Sequence, residues 1–272
     1  HGAEVTIPGR IPGLKQILRK VLRNSQLVVT AGQYSTEEAE RAAKTSLPVV
    51  IVPPGVDDKR FQPLTPQQRV YARSKYNLNE ADEVILTLSR LVPRKGMDVL
   101  IKACAELQTS RPHLKLLVAG TGRDQRRLKN IASRKEAPVT FLGHVPDEDI
   151  PNLYGLADLF SMLCRVRWGG LEQEGFGIVF LEAAAAGIPQ LAGKSGGAGE
   201  AVLEGMTGKV VSSPKDVDSV KEAICEILDD ETRYQEMKKL SRQRVETKFS
   251  YDHLAAAFHD SLLKLNGNSE GS

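Results

Sequence analysis

Apolar runs of strand length recur along this 272-residue chain, each closed by a glycine-bearing turn and followed by a segment of helical length. Glu83-Val84-Ile85-Leu86-Thr87-Leu88 leads through Ser89–Gly96 into a helix expected from about Met97 to Leu107. Leu114–Ala119 ends in Gly120-Thr121-Gly122-Arg123-Asp124 and then a helix. Val139–Val145 reads as a further short strand, with Pro146-Asp147-Glu148-Asp149 expected to cap the helix after it. A chain that alternates in this way folds as a parallel sheet covered by helices on both faces, which sets the fold class as α/β.

The stretch from Glu174 to Pro189 adds chemistry to that pattern. Gly175 and Gly177 flank Phe176 in a turn that opens an apolar helix, and Gly187-Ile188-Pro189 stops the helix before the next strand. Glycines let backbone approach a ligand closely, and a helix start presents unpaired N–H groups and a positive dipole end. Glu174 lies in the turn and Glu182 lies in the helix, with seven residues between them, so the two carboxylates can address different parts of one elongated ligand. A nucleotide sugar fits this description, since its hydroxyls donate to carboxylates. The same residues also suit a plain buried helix, in which Ile178, Val179, Leu181 and the alanines pack.

Arg90, Arg94 and Lys95 share one loop at the carboxyl end of the Glu83–Leu88 strand, the edge at which open α/β sheets bind ligands. Arginine holds a diphosphate by a planar fork and lysine as a mobile point charge. Arg94 also fits an ordinary solvated position in a basic loop. The Gly120-x-Gly122 pair reads as close packing at a switch point, and Ala192–Glu200 as a flexible loop before another helix.

Taken together, Ser89-Arg90-Leu91 with Lys95-Gly96, Gly120-x-Gly122-Arg123, Phe141-Leu142-Gly143, the Glu174/Glu182 pair and Ser195-Gly196-Gly197 resemble the retaining glycosyltransferases of the GT-B fold, family 4. Order and spacing match over almost the whole chain. The runs Ser89–Gly96, Arg167–Leu171 and Glu174–Glu182 are especially similar to the actinobacterial phosphatidylinositol-mannoside mannosyltransferases that use GDP-mannose. The resemblance implies transfer of a hexose, mannose in the first instance, to an inositol-bearing lipid or related glycan acceptor, with retention and without a bound metal. UDP- or ADP-sugar donors remain alternatives within the family. A non-catalytic nucleotide-sugar-binding fragment is the alternative outside it, and a sugar-nucleotide epimerase would not need the Glu174/Glu182 spacing.

Residue by residue, the resemblance implies that Arg90 and Lys95 hold the donor diphosphate and stabilise the charge that builds on the leaving nucleotide. Glu182 would accept from the ribose, and Glu174 would lie beside the transferred sugar. Gly175 and the amides of Phe176 and Gly177 would meet the sugar or the phosphate, and backbone around Val145 the base. His1 would sit near the sugar as part of a His-Gly element. No cofactor beyond the donor substrate is implied. Cys104, Cys164 and Cys225 are widely separated and the five histidines lack ligand spacing, so metal is not expected. Asp216-x-Asp218 falls at an expected helix start, where acidic residues favour the dipole.

The resemblance also divides the chain. Residues 1–52 correspond to the end of an acceptor-side Rossmann-like domain, most of which is expected to be missing. Its last strands would be Gln26–Thr30 and Leu47–Val52. Residues 53–60 form a Pro- and Gly-rich hinge, residues 61–250 the donor domain, residues 251–265 a helix crossing back to the first domain, and residues 266–272 a disordered tail. Leu254, Ala257, Phe258 and Leu262 make an apolar stripe on that helix, part of which is expected to be exposed, mobile or buried against another copy of the chain.

A net charge of +3 with 5% aromatic residues gives no case for nucleic acid, and three scattered cysteines suit a reducing, cytoplasmic setting. Arg10, Lys15, Arg19, Lys20 and Arg23 nonetheless cluster with Ile11, Leu14, Ile17, Leu18, Val21 and Leu22. Such a helix, near residues 11–23, could contact the anionic inner face of the cell membrane. It equally fits a helix with a solvated basic face. Trp168, between Arg167 and Gly169-Gly170, could shape the acceptor end of the cleft or be loop packing.

Overall fold

A computed structural model describes residues 3–269 and places them in two parallel α/β units. The first contains α1 (Ala3–Thr6), α2 (Leu14–Arg23), β1 (Val28–Thr30), α3 (Gln33–Ala43) and β2 (Val49–Ile51). β1 and β2 pair in parallel, Val28 opposite Val49 and Thr30 opposite Ile51, with α3 as the crossover. Leu22 of α2 packs on Ala39, Ala42 and Ala43 of α3, small residues that let the two helices approach closely. The outer side of α2 stays exposed at Leu14, Ile17 and Val21.

The second unit runs through α4 (Pro66–Ser74), β3 (Glu83–Leu88), α5 (Met97–Leu107), β4 (Leu114–Ala119), α6 (Gln125–Arg134), β5 (Val139–Gly143), α7 (Ile150–Gly155) and β6 (Leu159–Met162). It continues with α8 (Ile178–Ala185), β7 (Gln190–Gly193), α9 (Ala198–Ala201), β8 (Gly208–Val211), α10 (Val217–Leu228), α11 (Glu231–Lys248) and α12 (Tyr251–Ser269). The strands form a six-stranded parallel sheet in the order β5-β4-β3-β6-β7-β8. Its central strands are buried on both faces, and two apolar clusters, one per face, fill the space beneath the helices. After β5 the chain returns to the other side of β3, so the loops after β3 and β6 diverge at a topological switch point, where such sheets form a ligand crevice.

Several element boundaries have simple causes. The expected strand Val139–Val145 stops at Gly143, whose φ of 70° breaks the extended run and leaves Val145 in the following loop. The acidic residues after Pro146 do not cap α7 with their side chains. Asp147 instead pairs with Arg60 at 2.8 Å and Asp149 with Lys75 at 3.6 Å. Asp216 does cap α10, accepting from the Ser219 amide at 3.1 Å. Gly120 and Gly122 pack against the loop after β3, where a Cβ would strike the carbonyl oxygens of Ser89 and Leu91.

Residues 53–60, expected to form a hinge, are tied to the far end of the chain: the Val56 amide donates to the Phe249 carbonyl at 2.8 Å, and Arg242 donates to the carbonyls of Asp58, Phe61 and Ala185. α12 keeps Leu262 and Leu263 exposed and extends to Ser269. Residues 266–269, expected in a disordered tail, are therefore helical, since each added residue gains an i→i−4 bond once a helix is nucleated. The last three positions, 270–272, lie outside the described residues.

Candidate donor site at the switch point

The loop after β3 turns through a short 3₁₀ segment, Pro93–Lys95, that closes on Gly96 in the left-handed region, φ 72°. A side chain at Gly96 would collide with the Leu163 carbonyl at the end of β6, so the two loops can meet only because this position is glycine. The turn delivers Arg94 and Lys95 to Glu174. Lys95 Nζ donates to Glu174 Oε2 at 2.6 Å, Arg94 Nη1 donates to the same oxygen at 2.9 Å, and the Cys164 thiol donates to it at 3.2 Å. Arg94 is thus not a solvated bystander but a direct partner of the site carboxylate. The sequence signal for this was its place beside Lys95, since a tight turn puts neighbouring side chains within reach of one target.

Lys95 is buried, at 7% exposure, and its ammonium also donates to Met162 Sδ at 3.2 Å. An ammonium carries three donors, and these bonds use two of them. Arg90 is exposed at the same crevice, and its guanidinium has no hydrogen-bond or ion-pair partner among the described residues. Burial would raise the Glu174 pKa, but the charges and hydrogen bonds of Lys95 and Arg94 outweigh it and hold the carboxyl below its ordinary value. The group is therefore ionised at neutral pH. None of these bonds uses Oε1, which remains as an acceptor.

The backbone of Glu174 is fixed as firmly as its side chain. Its amide reaches Ser195 Oγ at 3.3 Å and its carbonyl accepts from the Gly197 amide at 3.0 Å. A Cβ at Gly196 or Gly197 would strike the carbonyls of Glu174 and Gly175, so Ser195-Gly196-Gly197 is a packed brace where the sequence suggested a flexible loop. Gly177 caps α8 at φ 92° with no side chain bonded to the helix start, leaving the first amides unpaired by side chains. Phe176 is buried beneath the turn, against the Phe249 ring at a centroid distance of 6.0 Å.

Glu182 lies on the fifth position of α8 and accepts from the Tyr154 hydroxyl at 2.7 Å. Here burial wins over that hydrogen bond and over nearby Arg60, and the carboxyl titrates above its ordinary value. The two glutamates thus sit in opposite electrostatic settings, one cationic and one desolvated. Val145 is half-buried in the loop after β5, two residues before Asp147, which pairs with Arg60. His1 lies outside the described residues. Among the described residues no group of three or more His, Cys, Asp or Glu side chains is arranged to hold a metal ion, and Cys104 and Cys164 are buried thiols pushed well above their ordinary pKa, Cys104 to about 12.

The first unit closes one side of this crevice. Thr6, Ile7 and Tyr34 line a cavity of about 190 Å³ together with Arg90, Arg94 and Glu174. Arg10 Nη1 donates to the Gly169 carbonyl at 2.5 Å, joining the units beside Trp168, which is 63% exposed and stacked with Arg167 at 4.8 Å.

Two Rossmann-like units meeting at a cleft, with the cations and carboxylates gathered at the switch point of the larger sheet, define a GT-B-type architecture. The chain belongs to the family described as glycosyl transferases group 1, which matches residues 69–244. It is 40% identical over 252 residues to the GDP-mannose-dependent monoacylated alpha-(1-6)-phosphatidylinositol monomannoside mannosyltransferase of Corynebacterium glutamicum, covering 93% of this chain and 65% of that protein. It is 38% identical over 264 residues to the GDP-mannose-dependent alpha-(1-6)-phosphatidylinositol monomannoside mannosyltransferase of Mycobacterium tuberculosis, covering 96% and 68%. Among solved structures, sucrose-phosphate synthase from Thermosynechococcus elongatus aligns with a TM-score of 0.79 at 26% identity, covering 95% of this chain and 63% of that one. The chain spans about two thirds of the length of these relatives.

Proposed function

We propose that the chain carries the donor site of a retaining hexosyltransferase that moves mannose from GDP-mannose to a phosphatidylinositol-mannoside or related acceptor. The observation that carries the reading is the convergence of Arg90, Arg94, Lys95 and Glu174 at one crevice beside the open start of α8. The identity to the two mannosyltransferases supports the choice of donor. In this reading Arg90 and the remaining N–H of Lys95 take the diphosphate, and the amides of Phe176 and Gly177 assist them. As the glycosidic bond breaks, charge develops on the leaving nucleoside diphosphate, and cations already fixed in place stabilise it without reorganising. Glu174 Oε1 accepts from a hydroxyl of the transferred sugar, Gly175 gives the ligand room, and Glu182 accepts from the ribose while Val145 borders the base. The family resemblance adds a sugar contact by His1 to this reading, and His1 lies outside the described residues.

Membrane contact through the helix near residues 11–23 belongs to the same proposal, since a lipid acceptor must be met at a bilayer, at the cytoplasmic face of the cell membrane. No helix among the described residues is long and apolar enough to cross a membrane. Calorimetric titration with GDP, GDP-mannose, UDP and UDP-glucose, repeated on Arg90→Ala, tests the donor assignment. Binding of the guanine pair alone, lost in the variant, is the expected result. Binding of the uracil pair alone would replace the donor, and no binding of any of the four would remove the donor-site reading from this chain.

A further inference from the structure

We infer that the Tyr34 hydroxyl, carried by the first unit, contacts the sugar held at Glu174 in the second. This rests on the donor-site reading above. Tyr34 stands in the first turn of α3 and lines the same small cavity as Glu174 and Gly175. Its ring and the Glu174 backbone crowd the same glycine: a Cβ at Gly196 would lie 3.1 Å from the ring and would strike the Glu174 carbonyl. The Tyr34 oxygen is shielded from solvent and has no hydrogen-bond partner among the described residues. A buried hydroxyl left unpaired is costly, and water or a ligand in the adjoining cavity satisfies it. A phenol both donates and accepts, whereas Glu174 Oε1 only accepts. A hydroxyl-bearing ring seated between them matches both.

The position of Tyr34 is held from across the cleft. Glu200, on α9 just after the glycine brace, accepts from the Gln33 amide at 2.7 Å and from the Tyr34 amide at 2.8 Å. A carboxylate on two free amides at a helix start is a favourable cap. Arg244 Nη2 in turn donates to the Glu200 carbonyl at 2.6 Å. One short segment, residues 195–200, therefore braces Glu174 on one side and fixes Tyr34 on the other.

The test compares a nucleoside diphosphate with its sugar on the wild-type chain and on Tyr34→Phe, by calorimetry with GDP and GDP-mannose and, in parallel, UDP and UDP-glucose. The pair that the wild type binds is the one compared. Tyr34→Phe should leave the diphosphate affinity unchanged and weaken the sugar nucleotide roughly five- to tenfold, the scale of one hydrogen bond, with no fall in melting temperature. Equal affinity of both proteins for the sugar nucleotide overturns this inference alone, as does an equal loss for both ligands. Failure of the wild type to bind any of the four ligands overturns it together with the donor-site reading.

Discussion

Glu174 and Glu182 lie on the same Gly-rich turn and helix, yet their surroundings push their protons in opposite directions. Glu174, with Lys95 and Arg94 on one oxygen, is held below its ordinary pKa despite burial. It stabilises the fold fully above the unfolded-state value, and that contribution is lost as pH falls through the lowered one. Glu182 is raised by burial. The folded chain holds its proton where the unfolded chain has released it, so stability falls as pH rises through that interval. Glu182→Gln keeps an acceptor for the Tyr154 hydroxyl without a charge. Urea denaturation across the mildly acidic range should show that variant gaining on the wild type as pH rises; parallel curves would contradict the burial argument. The cations separate in the same way. Arg90→Ala and Lys95→Ala should each weaken GDP binding by about 1.5–3 kcal/mol, the scale of a charged hydrogen bond. Arg90→Ala, at an exposed site, should leave stability within about 0.5 kcal/mol. Lys95→Ala should cost about 3 kcal/mol, the lower end for breaking a buried pair, because Arg94 and Cys164 still donate to Glu174. Equal stability of the two variants would mean that Lys95 belongs to the ligand rather than to Glu174.

The helix α3 illustrates what local sequence conveys and what it does not. The strands β3 and β4 and the helices α5 and α10 fall where their periodicity and end signals put them, because those signals act within a dozen residues. The packing role of Gly120 and Gly122 was likewise legible, as was the placing of Arg90 and Lys95 on the loop at the carboxyl edge of the sheet and of Glu174 in the turn that opens α8. Arg94 on Glu174, Cys164 on the same oxygen and Glu200 on α3 were not. Each joins segments that the chain alternation brings to one edge without fixing which side chains meet there. Glu200 also ties one unit directly to the other, through two amides of α3. Glu200→Ala should cost about 0.5–2 kcal/mol, as removal of a helix cap does, and should let the units separate. Gly32→Ala should reproduce the opening without touching Glu200, since a Cβ there would collide with its carboxylate. Glu200→Gln, which keeps one carbonyl acceptor, should fall between. Small-angle scattering reads this as a larger radius of gyration in the order wild type, Gln, Ala; an unchanged radius in all three would mean that other contacts, Arg10 among them, hold the cleft.

Taken as one molecule, the chain turns its cations to distinct tasks, and this reshapes the case for a membrane surface on α2. Of the five basic residues grouped there by the sequence, Arg19 donates to the Ala42 carbonyl at 3.3 Å and Arg23 to the Ala43 carbonyl at 2.8 Å, so both cap the C-terminal end of α3. Arg10 bridges to Gly169 in the other unit. Lys15 and Lys20 are left to meet an anionic surface, beside the exposed side chains of Ile11, Leu14, Ile17 and Val21. A juxtamembrane lysine contributes about 1 kcal/mol to binding at an anionic surface. Lys20→Glu and Ile17→Ser should therefore each reduce cosedimentation with phosphatidylinositol-containing vesicles several-fold, the first only at low salt, while leaving the fold intact. Arg19→Ala and Arg23→Ala should do the reverse, lowering the melting temperature by loss of the α3 cap with little change in vesicle binding. If the arginine variants lose vesicles and the lysine variant does not, the basic surface faces the bilayer by another side than the one α2 exposes. If the wild type does not sediment with the vesicles at all, the apolar stripe of α2 is a protein-packing face and the proposed lipid acceptor would have to be reached elsewhere on the molecule.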